Sequence, residues 1–180
     1  MRDTFLRRSL LAGAGLALLA AIAGCATTEQ IDTQPAFYIN LAKTGKPVDA
    51  AAAASLLSDY RTARGLPAVT IDDTLSRLAQ DQANAMAKAD NLSHEVGGRN
   101  FMTRIKASGY DAKRAVENVG AGYHTLAEAF SGWRDSPSHN KNMLEPGVTR
   151  MGIATANAPN SKYKVYWALI LAQPDTPPAR

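Results

Sequence analysis

The order of the periodic segments constrains this chain most: helical ones come first, and two β-prone stretches close it. Residues 163–171 carry Val165, Tyr166, Trp167, Leu169 and Ile170, the branched and aromatic side chains that fit a pleated, half-buried surface. Residues 150–156, with Met151, Gly152, Ile153 and Ala154, form a second strand candidate after the turn Glu145-Pro146-Gly147. Ahead of them, residues 47–63 contain a run of five alanines from Ala50 to Ala54, which has high helix propensity. Leu56, Leu57 and Tyr60 give that helix an apolar face, and Gly65 ends it. Asp72 is the expected N-cap of a second helix reaching Asp90, with Leu75, Leu78, Ala79, Gln82, Met86 and Ala89 at helical spacing. Helices first and strands last predict an α+β layer fold with a mostly antiparallel sheet covered by helices. A doubly wound parallel sheet is excluded, because strands and helices do not alternate throughout.

The middle of the chain holds the polar residues of interest. His94 directly follows the second helix, where an imidazole commonly serves as a partner for the helix C-terminus. Gly97 and Gly98 break the chain, and a short helix over residues 100–107 points Phe101, Met102 and Ile105 inward. Glu117 and Asn118 lie in the short apolar stretch Ala115–Ala121; either Glu117 is exposed, or it is buried and must be paired. An apolar helix over residues 126–133 ends on Trp133. Ser136 then offers an N-cap and Pro137 suits the first position of a new helix. That places His139 in the first turn, with Met143 four residues on along the same face. Alone, His139 reads as a solvated or capped residue. His124 reads as loop or helix-start surface. Trp133, Trp167, Ile170 and Leu78 are the expected core.

The N-terminus reads as an export signal. Arg2, Arg7 and Arg8 precede an apolar run from Leu10 to Ile22, shorter than the roughly 20 residues that span a bilayer. It ends Ile22-Ala23-Gly24-Cys25, small residues leading into the only cysteine, which resembles a bacterial lipobox. An ordinary signal peptide with an incidental cysteine is the alternative. A leftover cysteine in an exported chain otherwise lacks a partner, which favours acylation at Cys25. Arg7-Arg8 also fits a twin-arginine signal, so the export route stays open. The resulting division is a signal peptide over 1–24, an acylated Cys25 with a tether to residue 46, one domain over 47–173, and a frayed Pro-rich tail over 174–180. Within the tether, Phe37-Tyr38-Ile39 gives apolar residues that can dock. Several acyl chains would anchor the protein stably, since each buried CH2 contributes ~0.8 kcal/mol. No Asp follows Cys25, so the anchored chain is expected at the outer membrane, facing the periplasm, if the envelope has two membranes. The formal charge is +4, and residues 1–24 hold three arginines and one aspartate, so the mature chain keeps +2. That is too mild for nucleic-acid binding, and no basic stripe is interleaved with aromatics.

Five pieces now stand in order: Ser93-His94; Glu117-Asn118-Val119; Trp133-x-x-Ser136-Pro137-x-His139-x-x-Asn142-Met143-Leu144; Met151-Gly152-Ile153; and Tyr166-Trp167. In that order and spacing the chain resembles the CAP superfamily, the SCP-like extracellular domains, in their compact bacterial branch. The resemblance covers about residues 48–173. It implies a three-layer α-β-α sandwich with a central antiparallel sheet, and a cleft lined by two histidines and one or two glutamates. Position by position, His94 and His139 match the cleft histidines and Glu117 the first cleft glutamate. The second glutamate of eukaryotic members falls on Ser136; Asp135 is adjacent but need not point inward. The disulfides of eukaryotic secreted members have no counterpart here.

Two imidazoles and a carboxylate converging in a cleft would suit a divalent ion, zinc among the candidates, with positions left open for water. Gaps of 23 and 22 residues fit no local metal motif, so only the fold could bring them together. The first functional expectation is a tethered, monomeric envelope module that binds a metal and an envelope or apolar ligand. The alternative is a metal-dependent hydrolase, with Glu117 as base and Ser136 as a further catalytic candidate.

Overall fold

The computed structural model describes residues 34–175. Its sheet has four strands in the order β1-β3-β4-β2: β1 (Thr70–Ile71), β2 (Ala112–Ala121), β3 (Arg150–Ala158) and β4 (Lys164–Pro174). β1 runs parallel to β3, and the β3–β4 and β4–β2 pairs are antiparallel. The helices are α1 (Leu41–Thr44), α2 (Ala50–Thr62), α3 (Asp73–Ala89), α4 (Phe101–Ala107), α5 (Leu126–Asp135) and α6 (Pro137–Met143). No helix among the described residues is long and apolar enough to cross a membrane.

β4 shows why the helices must cover both faces. A half-buried strand would alternate apolar and polar side chains, but β4 is apolar on both sides. Val165, Trp167, Leu169 and Leu171 join one buried cluster with Leu57, Leu126, Trp133 and Met143. Tyr166, Ala168, Ile170 and Ala172 join the other with Leu75, Ala79, Ala83, Met86 and Ile105. Thus α1, α2, α5 and α6 pack on the first face and α3 and α4 on the second. This is the α-β-α sandwich of the sequence reading, with helices on both sides of a mostly antiparallel sheet.

Helix ends follow local chemistry. Asp72 caps α3 by accepting from Thr74 N at 2.9 Å and Leu75 N at 3.0 Å. Asp49 caps α2 through Ala52 N, and Asn100 caps α4 through Thr103 N. Thr125 and Glu128 close a capping box on α5. Ser136 stands at the N-cap of α6 but makes no capping bond with its side chain.

Some expectations shift. Leu78 is half-buried at the margin of the second core rather than inside it, because Leu75, Ala79, Gln82, Ala83 and Met86 take the sheet-facing stripe of α3. Met102 is exposed, since α4 turns Arg104 and Ile105 inward instead. The Glu117 stretch is part of a ten-residue strand that begins at Ala112. Its polar start, Lys113-Arg114, concealed the strand; β2 lies at a sheet edge, where solvent accepts those side chains. The fold also takes in residues ahead of position 47. Leu41 is buried in the first core, with Phe37 and Ile39 packed beside it, and Leu41 N donates to His124 O at 2.8 Å. Cys25 and the export segment lie outside the described residues, as do residues 176–180.

Trp133 and Trp167 meet edge to face at 6.3 Å between ring centroids, both buried. The Trp133 indole N–H donates to Val119 O at 3.3 Å, tying α5 to the edge strand. Trp133→Phe loses that bond and part of the ring, so ~1–3 kcal/mol of stability should disappear in a urea titration. A loss under ~0.5 kcal/mol would mean that the indole carries no weight there.

Candidate functional site

The site is built around the edge strand. Glu117 and Asn118 are adjacent in β2, so their side chains leave on opposite faces of the sheet. Asn118 reaches α6: its amide donates to His139 O at 3.0 Å and accepts from Asn142 Nδ2 at 2.9 Å. Asn142 Nδ2 also donates to Glu117 O at 3.0 Å. These bonds fix the backbone of α6, and with it His139, against the sheet edge.

Glu117 turns to the other face, where it is buried and paired, which resolves the choice left open by its sequence context. Arg104 Nη2 donates to both carboxylate oxygens, at 2.8 and 2.9 Å, and to His94 O at 3.2 Å. His94 Nδ1 lies 2.8 Å from Glu117 Oε2. An ionised carboxylate only accepts, so this Nδ1 carries the hydrogen. In a neutral His94 ring, Nε2 is then the atom with a free lone pair. The side chain of His94 is about half exposed, at 49%.

His139 is half-buried and its Nδ1 sits 2.9 Å from Ser136 Oγ. The Ser136 hydroxyl, which does not cap α6, is directed to this ring instead. Burial holds the His139 imidazole below its ordinary pKa, and the neighbouring His94 lowers it further. Both effects disfavour the protonated ring, so His139 is neutral at pH 7. Neither imidazole makes a hydrogen bond through Nε2 among the described residues.

Of the three residues expected to share one ion, the structure sets His94 against Glu117 and places His139 beside Ser136. Among the described residues no group of three or more His, Cys, Asp or Glu is gathered as a metal cluster. Glu117 is bonded to both Arg104 and His94. Asp135 does not replace the missing glutamate: it is exposed and bonded to Arg134, whose N–H groups hold its carboxyl below the usual range. His124 enters the fold through its backbone carbonyl. Sequence reasoning missed Arg104, although a signal existed: Arg104 is three residues after Phe101 and one before Ile105, on the inward face of α4.

The domain is thus a helix-covered, mostly antiparallel sheet with a histidine–glutamate pair at its edge strand. Residues 54–171 match the model of the CAP family, described as the cysteine-rich secretory protein family. The chain belongs to that family. It is 32% identical over 100 residues to the uncharacterized protein YkwD of Bacillus subtilis, covering 54% of this chain and 38% of that protein. An extracellular SCP-domain protein of Bacillus anthracis superposes with TM-score 0.60 at 20% identity, over 68% of this chain and 39% of that one. An outer surface protein of Borrelia burgdorferi gives TM-score 0.63 at 18% identity, over 72% of this chain and 98% of that one. The chain thus spans well under half the length of the two Bacillus proteins.

Proposed function

We propose that this protein is an envelope-tethered CAP domain whose His94–His139 pair binds a divalent metal ion, zinc among the candidates, in a cleft that also takes an envelope or apolar ligand. One observation carries the reading. Each ring is fixed through Nδ1, His94 by Glu117 and His139 by Ser136, and among the described residues each Nε2 has no hydrogen-bond partner. Metal-ligating histidines ordinarily donate their second nitrogen to such an orienting group. The donor set fits a borderline cation that prefers nitrogen, with remaining positions filled by water or a ligand. Arg104 neutralises Glu117, so the carboxylate orients without competing for the ion. The hydrolase reading with Glu117 as base is less favoured, because that base would first have to leave Arg104.

Calorimetry with Zn²⁺ tests the pair. The wild-type chain should bind at pH 7.5, and His94→Ala and His139→Ala should each weaken binding at least tenfold. Protons compete for the same nitrogens, so affinity should fall at pH 5.5. The lowered pKa of His139 moves proton competition at that ring to lower pH than at an ordinary imidazole. Equal binding by wild type and both variants would refute the shared site.

The location rests on the Ile22-Ala23-Gly24-Cys25 ending and on the extracellular and outer-surface descriptions of structural relatives. Membrane-fraction recovery with acylated Cys25 is expected, and Cys25→Ser should release the chain. An unmodified, soluble mature chain would refute the anchor.

A further inference from the structure

The second face of the sheet holds a feature that the histidine pair does not use. Arg104 is 93% buried by its 7% residual exposure, yet only Nη2 has partners. Its Nε and Nη1 are buried with no hydrogen-bond partner among the described residues. Those two atoms carry three N–H donors. An unsatisfied buried donor costs ~1–3 kcal/mol, more when charged, so a fold rarely leaves one without reason. The Phe101 ring, 5.4 Å from Arg104 Cζ, supplies a cation–π contact but no acceptor for in-plane N–H groups.

Arg104 also lines a cavity of about 250 Å³ between α3 and α4. That is several times the ~30 Å³ share of one water, and just below the ~300–1,000 Å³ of clefts for drug-sized ligands. Its walls are mixed: Leu78, Ala85 and Val96 form an apolar part, and Gln82 and Ser108 join the charged residues in a polar one. Arg99 adds a second guanidinium and Asp81 one opposing carboxylate, while Arg104 is already paired with Glu117, so unpartnered N–H donors rather than net charge mark the cavity. A bare, strongly hydrated anion would gain little from the apolar walls. A carboxylate on a short aliphatic body satisfies both halves.

We propose that the α3–α4 cavity binds a small aliphatic monocarboxylate, whose oxygens accept from Arg104 and Arg99 and whose chain packs on Leu78, Ala85 and Val96. Entry requires a small outward shift of the Arg104 side chain, because its orphaned nitrogens are closed off from solvent in the free structure. The cavity shares Arg104 with the Glu117–His94 arrangement, but it lies between α3 and α4 and its occupant needs no imidazole.

Butyrate titrated into the ¹⁵N-labelled chain tests the proposal by NMR, following the Arg104 side-chain N–H and the amides of Arg99 and Ser108. Saturable shifts in the millimolar range are expected, the range open to a ligand of so few heavy atoms. Butanol should not reproduce them. Asp81→Asn, on the exposed rim, should tighten binding severalfold, and Arg99→Gln should weaken it severalfold. Ala85→Phe should fill the space and abolish the shifts while the rest of the spectrum stays folded. These variants avoid the Arg104–Glu117 pair, whose loss could unfold the chain. No saturable shift, equal shifts from butyrate and butanol, or retained binding in Ala85→Phe would overturn the proposal. So would a butyrate-soaked crystal with water alone on Nε and Nη1. Zinc binding measured without butyrate should be unaffected in Asp81→Asn, Arg99→Gln and Ala85→Phe, which leave both imidazoles and the Arg104–Glu117 pair in place, so failure here and failure of the histidine site are separable.

Discussion

Arg61→Met should cost about 4 kcal/mol or more, one of the two largest losses expected from a single change in this domain. Arg61 is fully buried in α2, facing the first core. Its Nε donates to Pro67 O at 2.9 Å, Nη1 to Met143 O at 2.8 Å and Glu145 O at 3.1 Å, and Nη2 to Val148 O at 3.0 Å. All four acceptors are main-chain carbonyls, in the loop after α2 and in the connection from α6 to β3. Neither segment has a regular ladder to satisfy those groups, so one guanidinium substitutes for secondary structure. Burial pushes the Arg61 pKa below its ordinary value, and the Glu145 carboxylate partly counters it. Methionine matches much of the volume but strands four carbonyls, each worth ~1–3 kcal/mol and not strictly additive. Lysine should recover only part of the loss, since its donors radiate from one atom and cannot span the fork. The check is chemical denaturation followed by tryptophan fluorescence, with an unchanged m-value marking a true stability loss. A loss under ~1 kcal/mol for Arg61→Met would show that these carbonyls find other partners.

Arg61 also marks where the sequence stops being legible. Its neighbours could be read: the alanine run, Asp49 and Gly65 bound the helix, and Leu57 faces inward as expected. A periodic apolar face is a local property that survives without knowledge of the partner. The inward turn of Arg61 depends on carbonyls 82 to 87 residues away, which no local pattern encodes. The same holds at the site. His94, Glu117 and His139 could be picked out by resemblance, and the fold places His94 against Glu117. Arg104 pairs with Glu117, and its sequence position could have shown its face but not its partner. The branched and aromatic side chains of β4 were readable as strand; that both faces are covered followed only from where the helices pack.

The site and the core share one edge. β2 delivers Glu117 to the α4 side and Asn118 to the α6 side, and Trp133 ties α5 to the same strand through Val119 O. Residues that hold the strand therefore hold the two imidazoles in relation to each other. Loosening α5 or α6 should change the histidine geometry before it unfolds the domain, because these contacts are side-chain bonds to an edge rather than ladder bonds.

Gly152→Ala should be comparably severe, at more than ~3 kcal/mol, for a reason that involves no lost contact. Gly152 lies in β3 on the face covered by α3, opposite Ile170 of β4. A Cβ built there would meet Leu75 C at 2.1 Å, Ser76 N at 2.3 Å and Leu75 O at 2.4 Å. Carbon atoms rest at about 3.5–4.0 Å, so the first turn of α3 would have to retreat by ~1 Å or more. It is held from two sides. Asp72 N donates to Met151 O at 2.8 Å, next to the glycine, while the Asp72 carboxylate caps the helix. Retreat breaks the first bond and opens the Ala79 and Ala83 interface with the sheet. Gly132 supplies the control: a Cβ there meets the Tyr123 hydroxyl at 2.2 Å, an equally short distance. The obstacle at Gly132 is the far end of a side chain that can swing, and alanine gains up to ~1 kcal/mol of helix propensity. Thermal melts should place Gly152→Ala on the order of 10 °C below wild type and Gly132→Ala within a few degrees of it. Similar melting temperatures for the two variants would mean that α3 rides on the sheet loosely enough to yield, and that Gly152 is not what sets its distance.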